Sequence, residues 1–444
     1  MLTEQRTDKI INKECDKIAI PISSRNNNIF KKFIEDLLLK INYLIYFKTS
    51  AYWKFIKLIK PINTPGEVIW ANPNLINYIT FNNEHGNNLA HLSEVASGCW
   101  DLNLVKIKDL EIYKALYDCI KNNKPLCSTK FYNPNIKDKS EFEKQGVVRT
   151  WEYISAYEYE TRNKKILKLI EDIKEKGYKT QLELHEVPND EILVKVDRNG
   201  KLIFFNGIHR FCIAKILNLK EIPVIVKARH IEWYNFKNEL MNYIKTLRNN
   251  LGEDFYLTAK FTHPDLQDIS IFQEEDARFS AIEKNKITKD GTLLDIGAGF
   301  GYFSSKFEEL GFYCTAVEKN PNLFYFLKKI KSAEEKSYEI INDDILNICN
   351  NSLKFDLVLA LNVFNNFLKT EYHYNKFINF LRNLSVKEIF FENSSYEKEN
   401  RKYFYKNLSD DQFIKIIMEH TGLLKWEKVL EYNRGRKLYH LWKD

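Results

Sequence analysis

The stretch Leu293–Phe303, LLDIGAGFGYF, decides how the second half of the chain is read. An apolar run reaches Asp295 and Ile296, passes through Gly297, Ala298, Gly299 and Gly301, and continues at helical spacing. Glycines at such a junction let the backbone turn sharply and approach a ligand closely, with N–H groups directed at it. A related turn binds dinucleotides, but its sixth position is small so that helix and strand can pack. Here Tyr302 fills that position. Asp295, two residues before the first glycine, suits the amino group of an amino-acid moiety and would repel a pyrophosphate.

Outward from this turn, strand and helix patterns alternate to the end of the sequence, which predicts a parallel doubly wound α/β sheet. Glu318 ends the next strand, twenty-one residues after Gly297, where a carboxylate can accept both ribose hydroxyls. The third strand runs into NDDIL, which puts Asp343 or Asp344 near an adenine edge and Ile345 against its face. The fourth, FDLVLALNVF, delivers Asn362 to the carboxyl end of the sheet, where ligands of such folds bind. These residues at these spacings resemble the class I S-adenosylmethionine (SAM)-dependent methyltransferases, over roughly 272–444. The resemblance implies SAM as cofactor and a Rossmann-like sheet to hold it.

Methyl transfer from a sulfonium is an in-line displacement, so the protein aligns donor and acceptor and, where needed, removes a proton. LALNVFNNF resembles a stretch that ends in His-His in small-molecule and sugar methyltransferases, but Asn365 and Asn366 stand there. Asparagine orients an acceptor and cannot take its proton. Either His373, His263 or Glu392 supplies the base, or the acceptor oxygen is already ionised, as in a phosphate. The Asp/Asn-Pro-Pro-aromatic motif of DNA amino-methyltransferases is absent, which disfavours a nucleic-acid acceptor and leaves a glycan or small molecule.

About 90 residues earlier, KVDRNGKLIFFNGIHRFCIAKILNLKEIPVIV reads as strand, turn, strand, helix, strand, with Asn199-Gly200 a strong hairpin signal. Asn206 and Gly207 open the helix, and His209 and Arg210 lie on its first turn, the layout of an anion site. This segment resembles the ParB/sulfiredoxin superfamily, which carries G-x-H-R before such a helix. The resemblance implies nucleotide binding, with ATP or CTP and Mg²⁺ as cofactors. The sulfiredoxin cysteine is replaced by Ile208, and Cys212, one turn on, points elsewhere. A phosphotransfer role needs carboxylates for the hydroxyl and for Mg²⁺. Glu183, Glu186 and Asp197 are nearest in sequence, with Glu183 favoured for the hydroxyl and Asp197 for the metal.

At 444 residues the chain is long enough for two or three domains, and 44% apolar with 29% charged residues is ordinary for globular proteins. A net charge of +7 without a concentrated basic stripe gives little support for duplex binding. Seven scattered cysteines with no CxxC spacing argue against a disulfide framework or zinc cluster and for a reducing cytoplasm. Residues 29–60 are aromatic and aliphatic with regular lysines, among them Lys40, Lys48 and Lys54, which exclude a spanning helix. They read either as a packing helix or as a basic amphipathic helix on a membrane surface.

The sequence thus divides into a helical N-terminal region 1–90, a ParB/sulfiredoxin-like unit 91–235, a connector 236–271 and a methyltransferase unit 272–444. The expected function is a bifunctional enzyme, cytoplasmic and in contact with a membrane at most peripherally. A SAM-dependent O-methyltransferase is joined in it to a nucleotide-dependent, kinase-like module acting on a surface glycan or its precursor. The alternatives are a nucleic-acid modifier with a DNA-binding or nuclease module, and a methyltransferase regulated by a nucleotide sensor.

Overall fold

The computed structural model describes residues 68–80, 94–132, 156–181, 183–184, 191–251, 260–269, 274–348, 352–394, 403–432 and 435–443. Two compact units divide between Glu239 and Leu240. The segment 29–60 and Glu186 lie outside the described residues, and among those described no helix is long and apolar enough to cross a membrane.

In the first unit the strands are β1 (Val68–Ala71), β2 (Tyr78–Thr80), β3 (Glu94–Ala96), β4 (Leu104–Lys106), β5 (Ile192–Val196), β6 (Leu202–Asn206) and β7 (Ile222–His230). Its helices are α1 (Glu111–Asn122), α2 (Ala156–Lys176), α3 (Ile208–Ile216) and α4 (Ile231–Leu251), the last crossing the unit boundary. The sheet is mixed, in the order β1-β7-β5-β6-β2-β4, with β3 also on β7. Part of the region expected to be helical is therefore sheet, since β1 pairs β7 and β2 pairs β6. Strands of three or four residues carry too little alternation to be read from sequence.

The β5–β6 hairpin forms as expected, and Gly200 suits its turn on two counts, its φ of +91° and the Trp233 ring, which any Cβ there would approach to 2.3 Å. The SGCWD stretch locks onto this turn. Arg198 makes a two-pronged pair with Asp101 at 2.9 and 2.7 Å and donates to the Gly98 carbonyl at 2.8 Å. At the far end of α3, the buried Lys215 ammonium donates to Pro73 O at 2.7 Å, Ile76 O at 3.1 Å and Asn77 Oδ1 at 3.0 Å. Those acceptors replace the water a buried ammonium would otherwise lose. Cys212 is buried and its thiol is pushed well above the usual range by burial, so it is inert. Cys119, Cys127, Cys212 and Cys314 are free thiols, whereas Cys99 is disulfide-bonded, against the expectation from cysteine spacing that the thiols stay reduced.

The second unit holds β8 (Gly291–Ile296), β9 (Phe312–Val317), β10 (Glu339–Ile341), β11 (Leu353–Ala360), β12 (Leu384–Ser394), β13 (Lys425–Tyr432) and β14 (Arg436–Trp442). Its helices are α5 (Glu274–Asn285), α6 (Tyr302–Glu309), α7 (Pro321–Ala333), α8 (Ile345–Ile348), α9 (Glu371–Asn383) and α10 (Asp410–Thr421). The strand order is β10-β9-β8-β11-β12-β14-β13. Strands β8 to β12 are parallel, but β14 runs antiparallel to both β12 and β13. The sheet is thus not wholly parallel, because β13 and β14 are joined by a hairpin too short for a crossover. β13 gave no sequence signal, its first four residues all being exposed. Apolar layers cover both faces. One is built on Phe364, Phe377, Phe380 and Phe413, the other on Ile282, Phe303, Phe307 and Phe390.

Candidate functional site

The order of strands in the second sheet reverses between β8 and β11, which places the ligand crevice at their carboxyl ends. The glycine turn lies there. Gly297, Gly299 and Gly301 all have positive φ, at +72°, +59° and +86°. They serve different needs. A Cβ on Gly297 would lie 2.7 Å from Val363 Cγ2, and one on Gly301 2.4 Å from Leu327 Cδ1, whereas one on Gly299 would meet nothing within 4 Å. Gly297 and Gly301 therefore close the turn onto its own unit, and Gly299 faces open space. Tyr302 fits because it begins α6 and its hydroxyl donates to Asp276 of α5 at 2.5 Å.

This contrast predicts two outcomes. Gly301→Ala should lower the second unit's stability by about 2 kcal/mol or more through overlap and strain. Gly299→Ala should cost only about 1 kcal/mol, the ordinary left-handed penalty, yet weaken SAM binding at least tenfold. Thermal denaturation beside calorimetry separates the two; equal losses of stability would refute the distinction.

The turn's amides are not all turned outward as expected. Gly297 and Ala298 N–H both donate to Val317 O, at 2.8 and 3.2 Å, and Gly301 N–H donates to Ala298 O at 2.9 Å. The Gly299 amide donates to Glu318 Oε2 at 2.9 Å, while Oε1 accepts from Asn320 N–H at 2.8 Å. Glu318 is 5% exposed and its carboxyl is raised by burial, against the opposing pull of the Asn320 and Gly299 amides. Asp295 is buried and accepts from Ser304 Oγ at 2.7 Å. Burial pushes it up to about 6, Glu318 adds to this, and Ser304 and Arg278 oppose it.

Of the other expected cofactor residues, Asn362 sits at φ +61° just beyond β11, strain of the kind that gathers at functional sites. Asp343 is exposed and accepts from the Asp344 amide at 2.7 Å, and Asp344 accepts from the Leu346 amide at 3.0 Å. Ile345 is 3% exposed and belongs to the core, so it does not present an open face to a base. Asn365 and Asn366 do not form a pair. They lie on a 3-10 turn, Phe364–Leu368, which carries Asn365 inward and Asn366 outward, where Lys369 Nζ donates to it at 2.7 Å.

Each base candidate has at least one atom in a local contact. His373 Nδ1 is 2.7 Å from the hydroxyl of Thr370, which caps α9. His263 is buried and accepts the Asp265 amide at 3.2 Å. Glu392 is fully buried, with Oε2 3.1 Å from Arg278 Nη1 and Oε1 without a hydrogen-bond partner. Arg278 itself gave no sequence signal, since one arginine in an ordinary helix pattern says nothing of its burial.

In the first unit Gly207 caps α3 at φ +90° and packs on the start of β5, its Cβ direction 3.2 Å from Ile192 Cγ1. Asn206 Oδ1 accepts the Gly207 amide at 2.8 Å. The His209 Nε2 atom is sealed from solvent without a partner, beside Tyr132 at 6.1 Å between ring centroids. Burial lowers His209 to about 4, with Arg162 adding to the effect, so the ring is neutral at physiological pH. Arg210 lies next to the turn, its Nη2 3.6 Å from the Gly207 Cβ direction. Of the carboxylates proposed from sequence, Glu183 and Asp197 are not brought here. Glu183 is exposed and closes a local turn by accepting from the Thr180 amide and hydroxyl at 2.7 and 2.9 Å. Asp197 holds the opposite end of the hairpin, accepting Asn199 and Lys201 amides, both at 2.8 Å. Leu193 pairs with Asn206, so Asp197, four residues on, is about 13 Å away along the strand. Mg²⁺ therefore does not fit Asp197, and among the described residues no group of His, Cys, Asp and Glu is arranged to hold a metal. Among the described residues, Glu191, 2% exposed and directly before Ile192, is a carboxylate at this end, and sequence proximity alone did not single it out.

Residues 273–378 match the model of the ribosomal RNA adenine dimethylase family. No curated protein matches the chain. Among solved structures, WbdD, described as a bifunctional kinase-methyltransferase, is 16% identical over 44% of this chain and 45% of its own, with a TM-score of 0.35. A SAM-dependent methyltransferase from Clostridium acetobutylicum is 15% identical over 38% of this chain and 89% of its own, with a TM-score of 0.30. The chain thus spans less than half the length of WbdD. The family match, together with the strand order and the glycine turn, supports a SAM-dependent methyltransferase of class I for the second unit.

Proposed function

We propose that the chain is a two-part enzyme. Its second unit transfers the methyl group of SAM to an oxygen of a glycan or small-molecule acceptor, and its first unit binds a nucleotide phosphate and handles a phosphoryl group on the same acceptor. The observation that carries the methyl-transfer reading is Glu318 at the tip of β9, hydrogen-bonded to Gly299 beside open space. When bound, SAM supplies an electrophilic methyl on a sulfonium, so that a C–O bond forms as the C–S bond breaks. Glu318 would hold the ribose hydroxyls, Asp295 the ammonium group, and Asn362 the approach at the end of β11. With asparagines in place of a His-His pair and with His263 and Glu392 buried, an acceptor oxygen that is already ionised, such as a phosphate oxygen, suits this site best.

For the first unit, the N-terminus of α3 with Arg210 and Arg162 favours an anion, while neutral His209 can donate or accept a hydrogen bond without adding charge. The segment 29–60 would keep such an enzyme at a membrane surface. The test is incubation with radiolabelled SAM, ATP and Mg²⁺ against candidate glycans. Methyl incorporation should depend on ATP and fall in Arg210→Ala; incorporation indifferent to both would end the coupled reading. The family match favours a competing acceptor, RNA, and label appearing in RNA in preference to glycans would decide for it.

A further inference from the structure

We propose that Arg278 is a positioning residue for cofactor binding, holding Asp295 ionised from the same sheet face on which it pairs with Glu392. The proposal rests on the SAM reading of the glycine turn. Asp295 pairs with Leu359, and Leu359 with Phe390, so the three side chains share a face, and Glu392, two residues past Phe390, shares it too. That face is the one covered by α5 and α6, through Ile282, Phe303 and Phe307. From α5, Arg278 places Nη1 3.1 Å from Glu392 Oε2 and Nη2 3.4 Å from Glu275 Oε1, with all three side chains at most 4% exposed. Its guanidinium carbon lies 5.3 Å from the centroid of the Phe303 ring. The next residue, Ser304, donates to Asp295. One cation therefore lies among buried carboxylates where no water screens them.

The groups facing Asp295 are Ser304 from α6, Glu318 and Cys314 from β9, Tyr338 ahead of β10 and Arg278 from α5. Arg278 is the cation among them. Around Arg278 itself stand Glu274, Glu275, Tyr302 and Glu392, with Arg436 also acting on Glu392. Burial drives Asp295 toward its neutral form, which would hold an ammonium group poorly; the Ser304 hydrogen bonds oppose that drift first, and the charge of Arg278 adds to them. Glu392 competes for the same guanidinium, so the two carboxylates are coupled through it.

The test is calorimetric titration of the full chain with SAM across pH for wild type, Arg278→Met and Glu392→Gln. Wild-type affinity should fall as Asp295 becomes protonated on acidification. In Arg278→Met the midpoint should rise, with affinity recovering as the pH is raised. In Glu392→Gln it should move down, because Arg278 is released toward Asp295 and a negative charge is removed. A purely structural arginine would weaken binding equally at every pH. Should Arg278→Met fail to fold, the downward shift in Glu392→Gln carries the test. Midpoints unchanged in both variants would overturn the proposal, and a wild type that binds no SAM at any pH would remove the reading it rests on.

Discussion

Glu318→Ala is expected to weaken SAM binding about 100-fold or more, measured by calorimetry at neutral pH. A carboxylate gripping two ribose hydroxyls makes two charge-assisted hydrogen bonds, each worth about 1.5–3 kcal/mol. At about 1.4 kcal/mol per factor of ten, their joint loss exceeds two decades. The alanine also strips the Gly299 and Asn320 amides of the acceptor that shapes the turn. Glu318→Gln keeps the shape and one acceptor oxygen, so its loss should be nearer tenfold. An alanine variant within about fivefold of wild type would take Glu318 out of the cofactor site.

A comparable effect on stability is expected in the amino-terminal half of β12. There Glu388 and His440, 0% and 1% exposed, meet at 2.7 Å, and Glu388 also accepts the Ile287 and Thr288 amides at 3.0 and 2.8 Å. The His440 ring stacks on Phe390 at 4.1 Å and on Trp442 at 4.5 Å. This cluster ties the approach to β8 onto β12 and β14. Glu388→Ala leaves the buried Thr288 N–H, the partly buried Ile287 N–H and a buried imidazole without their acceptor, at a cost of about 3–5 kcal/mol. Burial raises the Glu388 carboxyl, but hydrogen bonds from His440, Thr288 and Ile287 outweigh it and hold the group below the ordinary carboxylate range. A depressed value contributes stability that is complete above the unfolded value, about 4.3, and is lost as pH falls through the folded one. Urea denaturation of wild type and Glu388→Ala should thus differ most at neutral pH and converge in acid. A difference below about 1 kcal/mol at pH 7 would show that the pair merely occupies space.

Local signals were readable where backbone conformation alone was at stake. The three glycines, the Asn199-Gly200 turn, Gly177 beyond α2 and the alternating strands of the second unit follow from steric rules that act within a few residues. Partner choice was not readable. Asp197 and Glu183 stand near the His209–Arg210 turn in sequence, yet both satisfy amides of their own turns, while Glu191 reaches that end because β5 begins beside Gly207. Asn365 and Asn366 look equivalent as neighbours and separate once the chain forms a 3-10 turn.

By itself, the sequence determined the alternation that builds the second sheet, the glycine turn at its switch point and the acidic residue that ends the following strand. These depend on periodicity and on φ, properties that a short segment carries with it. Only the tertiary structure decided that β14 runs antiparallel, that most of the turn's amides are spent internally, and that Arg278 meets Glu392, 114 residues away in the chain. A buried charge takes its partner from whatever the packed strands and helices bring within reach, and that proximity exists only after the chain has folded.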